Sequence, residues 1–124
     1  MAYEENVQKV SINANADLSS YQYRFVTINA SGLLALVGAG LAADGVLQDK
    51  PAAANRPGSI GILGITKIEA GAVITMGDNL TPDSVGRAVT ATSGDVVGAK
   101  ALEAASGAGV YIAALLKLQA EPIS

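Results

Sequence analysis

A chain of 124 residues, half of them hydrophobic but only 4% aromatic, has room for one domain with a modest core of Ala, Val, Ile and Leu. Its formal charge of −3 includes no run of Lys or Arg, so a direct nucleic-acid partner, which needs clustered positive charge, is not expected. With no Cys and no His, the chain has no means of making a disulfide, a thiolate nucleophile, an imidazole base, a haem ligand or a conventional zinc site.

The start, "MAYEENVQKV", is acidic and polar and lacks the regions of a signal peptide. The run "LLALVGAGLAA" is shorter than the ~20 apolar residues that span a bilayer, so no membrane partner is expected. Residues 1–20 read as an N-terminal arm or edge strand with a weak alternation at Val7, Val10 and Ile12, tied down at the "ADLSS" turn. Residues 21–124 read as a single β domain. In it, "YQYRFVTI" and "LLALV" flank the turn "NASG", the pattern of a β-hairpin.

"DGVLQDK" is a short strand and turn, and "PAAANRPG" is a loop, since two prolines bar a helix or a central strand. In "SIGILGITKIEAGAVITMGD" the apolar residues Ile60, Ile62, Ile65 and Ile68 slip out of alternation beside Gly64, which marks a bulge or sharp bend. "NLTPDSVG" is a loop and "RAVTA" a strand. The last run, "VYIAALLKL", puts Val110, Ile112, Ala114, Leu116 and Leu118 on one face; Tyr111, Ala113, Leu115 and Lys117 occupy the other. No tandem repeat stands out. Short strands with turns every ten residues or so predict an all-β fold: one compact barrel or sandwich-like domain of antiparallel strands.

One stretch resists this reading. "DVVGAKALEAASGAGVY" (Asp95–Tyr111) contains the strong helix formers "AKALEAA". A helix there would have only about two turns, with Gly98 and two valines in its first turn, and so short a helix is marginal in water. A hairpin, pairing this stretch with "VYIAALLKL", is the expectation.

Candidate chemistry is sparse. "GAGLAA" (Gly38–Ala43) fits G-x-G-x-x-A, but Asp44–Gly45 and Pro51 leave no room for the helix whose amides would hold a pyrophosphate. A glycine-eased bend is expected, and no cofactor. "GDNLTPDS" gathers Asp78, Asn79, Asp83 and Ser84, yet it lacks the spacing of a calcium loop and reads as turn chemistry. Glu4–Glu5 lies in the polar arm with no enclosing pocket, and the sequons at Asn29 and Asn79 lack a secretory context. Lys9, Lys50, Lys67, Lys100 and Lys117 are scattered, so no serine has a base to activate it. No catalytic residue, metal site or small-molecule substrate is expected.

The order of the segments "GVLQDKPAA" (Gly45–Ala53), "GITKIEAG" (Gly64–Gly71) and "GAKALEAASGAGVYI" (Gly98–Ile112) resembles the capsid cement, or head decoration, proteins of tailed bacteriophages. The likeness runs from about Val7 to Leu118. It implies a non-enzymatic virion protein, made in the host cytoplasm, that binds the outside of the expanded head and stabilises contacts between capsomers. Its implied partners are the major capsid protein and itself, as a homotrimer. The alternative is another virion structural protein, a tail-tube, spike or fibre component. The arm residues Val7, Val10 and Ile12 are the expected contact with the shell or a neighbouring subunit, by strand addition.

Overall fold

The computed structural model of the chain describes residues 5–116, with side chains from Val7 onward. Glu4, Lys117, Leu118 and the first four residues of the expected arm lie outside the described residues. Among the described residues nine strands form one antiparallel sheet: β1 (Glu5–Asn13), β2 (Phe25–Ile28), β3 (Leu34–Leu36), β4 (Gly45–Leu47), β5 (Pro57–Glu69), β6 (Asn79–Pro82), β7 (Ala88–Thr90), β8 (Ala99–Ala101) and β9 (Tyr111–Leu116). No helix occurs among the described residues. The order β3-β2-β4-β5-β9-β8-β6-β7, with β1 beside β5, curls into a half-barrel, as the all-β expectation required.

The longest strand, β5, organises the rest. Gly61 lies between Lys9 of β1 and Val46 of β4, and Ile65 between Glu5 of β1 and Leu115 of β9. So β1 follows one edge of β5, while β4 and then β9 take the other. The change of partner happens around Gly64, whose φ of +101° is open to glycine and strained for any L side chain. This is the slip in alternation seen in the sequence, and the β1–β5 register shifts beside it. Its effect on packing is a change of face. Ile60 and Ile62 pack in a cluster with Val26, Leu34 and Leu47, whereas Ile68 packs in the other cluster with Phe25, Val46, Leu80 and Ile112.

The hairpins appear where the sequence placed them. β2 and β3 pair Val26 with Leu36 and Ile28 with Leu34, around a turn in which Asn29 Oδ1 accepts the Ser31 and Leu33 N–H groups. "AKALEAA" is not helical. Ala99–Ala101 pairs with Leu116–Ala114, and the strand then ends as Ala105 leaves to exchange both backbone hydrogen bonds with Ile74. Ala99, Ala101 and Ala105 are all buried, so these small residues let Phe25 and Leu80 close over the strand. Ile112, Ala114 and Leu116 face the core as the period of two predicts.

The sequence shows no tandem repeat, but the hydrogen-bond register does. Leu47 N–H donates to the Arg24 carbonyl, and Ala101 N–H donates to Asp78. Asp44 to Val26 recurs as Gly98 to Leu80, Gln48 to Ser59 as Leu102 to Ala113, and Leu41 to Gly38 as Asp95 to Thr92. Strand pairing follows: Val26↔Leu36 recurs as Leu80↔Thr90, and Val46↔Gly61 as Lys100↔Leu115. All these pairs share one sequence offset, the one that carries Leu47 to Ala101. The first strand obeys the same rule with an offset two residues larger, since Asn13↔Pro57 recurs as Glu69↔Tyr111.

The chain is therefore two copies of one five-strand unit. The first is β1 to β4 closed by the first half of β5; the second opens on the other half of β5 and closes on β9. Both units share one continuous strand and one sheet.

Candidate contact surface

The residues picked out in the sequence fall into three places. Val7, Val10 and Ile12 lie on β1, which pairs with β5 along most of its length. Val10 is 38% exposed, Val7 and Ile12 are half-buried, and Ile12 packs on the cluster around Ile60. The outer edge of β1 has no strand partner among the described residues.

"GAGLAA" forms the bend between β3 and β4. Leu41 N–H closes onto the Gly38 carbonyl, and Gly40 (φ +70°) is held by Pro82 and Val96. No helix starts there. In "GDNLTPDS", Asp78 Oδ2 accepts the Thr75 N–H and the Thr90 hydroxyl, and Asp83 Oδ1 accepts the Val85 and Arg87 N–H groups. Both carboxylates are spent on their own turns, which is the turn chemistry the sequence indicated. Glu5 starts β1. Asn79 starts β6, and Lys9, Lys50 and Lys100 are exposed on separate elements.

A side-chain cluster that sequence reasoning missed lies across the turn before β2, the end of β5 and the start of β9. Tyr23 and Tyr111 meet edge to face, with centroids 5.9 Å apart and planes at 81°. Lys67 Nζ stands 5.7 Å from the Tyr23 ring centre, and Arg24 lies 5.1 Å from that of Tyr21. Beneath them, Arg24 Nε is 3.3 Å from Glu69 Oε1 and Arg87 Nη1 is 4.0 Å from Glu69 Oε2. Arg87 Nε lies 3.4 Å from Asp83 Oδ2, an ion-pair distance without hydrogen-bond alignment.

Glu69 is thus held between two guanidinium groups. Tyrosine and arginine gathered on one surface, with Tyr111 about half exposed, are the residue types that anchor protein–protein contacts. The sequence signal was the crowding of "YQYR" in a chain with so few aromatics.

Of the other exposed apolar side chains, Leu41 lies at the bend after β3, Val73 and Met76, each about two-thirds exposed, lie between β5 and β6, and Val85 lies in the turn before β7, whereas Ile28, Leu63 and Leu115 stand on strands. Exposed apolar groups of this size mark contact surfaces when they lie together. Among the described residues no pocket opens, and no three His, Cys, Asp or Glu side chains converge to hold a metal. Among the described residues the surface presents a strand edge, ring faces and apolar loops, the kinds of feature by which proteins recognise one another.

Comparison with known proteins agrees with this description. A family model described as phage cement protein matches residues 4–118. The fold is similar to the crystal structure of the head fibre gp8.5 N base in bacteriophage phi29, with a TM-score of 0.71 and 19% identity, covering 89% of this chain and 93% of that one. At that identity the likeness speaks for the fold alone. No curated protein matches the chain.

Proposed function

Because the chain belongs to the phage cement protein family, we propose that it binds the outer surface of the expanded phage head and stabilises contacts between capsomers, as a homotrimer on the major capsid protein. The observation that carries this reading is the family match over nearly the whole chain. A half-barrel with an open β1 edge, a half-exposed Tyr111 and exposed apolar loops, and no pocket among the described residues, supports it.

The physics of the role is additive. An interface of about 1,600 Å² spans micromolar to picomolar affinity depending on its packing, so area alone does not set the grip. A trimer that engages several subunits at once multiplies modest contacts through effective concentration. Val7, Val10 and Ile12 on β1 provide the contact strand, whose open edge accepts backbone hydrogen bonds from a shell subunit or a neighbouring copy. Since β1 is also a strand of the fold, its removal would uncover β5. Point changes such as Val10→Asp are the proper probe, not a deletion.

A second reading, a fibre component of the head, is favoured by the structural likeness to the phi29 head fibre base. Co-sedimentation with expanded heads lacking the protein, followed by heating, separates the two. Bound heads that withstand heating better than bare heads mark a cement protein, whereas bound heads no more stable than bare ones mark a fibre component.

A further inference from the structure

The two units are covered unequally, and the difference identifies a partner. Within the chain, the first unit lies along the outer edge of the second half of β5. The Tyr23 carbonyl accepts the Glu69 N–H at 2.9 Å, Gln48 Nε2 donates to Thr66 Oγ1 at 2.8 Å, and Arg24 pairs with Glu69. Thr66 and Ile68 are fully buried there. In the first unit the same strand is β1, with Val10 in the place of Thr66, Ile12 in that of Ile68 and Asn13 in that of Glu69. Val10 and Ile12 keep solvent exposure. The Ala14 N–H donates to the Arg56 carbonyl on the β5 side, so the Asn13 N–H points to the opposite, open edge.

The covering elements recur as well, at the far end of the molecule. Gly77 stands where Tyr23 stands, Asp78 for Arg24, and Leu102 for Gln48. Among the described residues no β1-like strand lies against them, and Met76 beside Gly77 is 66% exposed. The side chains at the two open surfaces match in part. Where the internal contact joins polar Gln48 to polar Thr66, the corresponding positions are Leu102 and Val10, both apolar. Where it joins Arg24 to Glu69, Asp78 and Asn13 stand instead, and no ion pair recurs, since the Asp78 carboxylate already accepts from Thr75 and Thr90.

We propose that β1 of one copy docks against the Thr75–Asp78 turn and Leu102 of a second copy, repeating between chains the contact that joins the two units within one. The Asn13 N–H meets the Gly77 carbonyl of the partner subunit, and Val10 covers Leu102 of the partner subunit. The contact is head to tail, and a head-to-tail contact closes into a ring or runs on as a filament. This deepens the reading above by naming the neighbour that β1 meets, and it rests on that reading only for the ring being the small closed one.

The cysteine-free chain makes the test direct. Asn13→Cys and Met76→Cys, both at exposed positions, are purified separately, mixed in equal amounts and treated with a short bismaleimide. The expected result is a cross-linked dimer in the mixture at least tenfold above that in either variant alone, and loss of the wild-type oligomer on sedimentation of Val10→Asp. Cross-linking within a single variant, or none in the mixture, overturns the proposal, as does a wild-type chain that sediments as a monomer. No head is needed for these readouts. Failure with head binding intact therefore refutes the subunit contact alone, and cross-linking without head binding refutes the capsid reading alone.

Discussion

Asn29 and Asp83 do the same work in the two units: each holds its hairpin turn by accepting two backbone N–H groups on one side-chain oxygen, at 2.9–3.0 Å for Asn29 and 2.9 Å for Asp83. Each turn ends on a glycine of positive φ, Gly32 at 78° and Gly86 at 82°. Replacing either side chain by Ala strands two N–H groups at a turn, which costs about 1 kcal/mol. Asn29→Ala and Asp83→Ala should each lower the midpoint of urea unfolding by a similar amount, with additive effects in the double variant because the turns are in separate units. Asp83→Asn, which keeps the turn and loses only the half-exposed pairing with Arg87, should cost less than Asp83→Ala.

Gly64→Ala tests the bend in β5. At a φ of +101° an added Cβ strains the backbone at the residue where β5 changes partners, and the expected loss is about 1–3 kcal/mol. Gly107 is the control: its φ is not positive and an added Cβ there meets nothing within 4 Å. Gly107→Ala should leave stability unchanged or raise it slightly by restricting the unfolded chain. Equal effects of the two substitutions on thermal unfolding would remove the bulge from the account.

Ile68→Ala and Ile12→Ala compare equivalent positions of the two units. Ile68 is fully buried between Phe25, Leu80 and Ile112, so truncation should cost about 2–5 kcal/mol. Ile12 is half-buried, and its truncation should cost clearly less in the isolated monomer. Denaturation at concentrations low enough to dissociate any oligomer reads the difference.

Asp17 supplies a pH dependence of definite sign. Its carboxylate accepts the Ser19 hydroxyl at 2.6 Å and then the Ser19 N–H at 2.9 Å, which holds the carboxyl below its ordinary value. A lowered folded value means that the unfolded chain binds the proton more readily. The contribution is therefore present above the unfolded value of about 4 and fades as pH falls through the lower folded value. The stability gap between the wild type and Asp17→Ala should be constant near neutrality and shrink below pH 4. A gap that widens on acidification would contradict the assignment.

Much of the fold was legible because strands declare themselves locally. The alternation in "VYIAALLKL", the "NASG" turn and the slip beside Gly64 each have a local physical cause, and each appears in the structure. The repeat was not legible, since what the units share is backbone register, which many residue pairs satisfy equally well. Thr27 and Thr81, Gly32 and Gly86, and Gly40 and Gly94 coincide, but Asn55 and Gly109 meet the same positive φ with different residues, as do Tyr23 and Gly77. The candidate contact surface remains a proposal, and its parts differ in how far the sequence shows them. Val7, Val10 and Ile12 show as an alternation, whereas the Tyr23–Tyr111 contact and the exposed Met76 depend on which loops the sheet brings to one side.

Whether this chain takes the proposed place on the outside of a phage head is read by electron cryomicroscopy of expanded heads lacking it, incubated with the purified protein. Saturating density is expected on the outer surface at every equivalent junction between capsomers, each feature a closed ring of copies. Bare heads at saturating protein, or density confined to a few sites per particle, would contradict it.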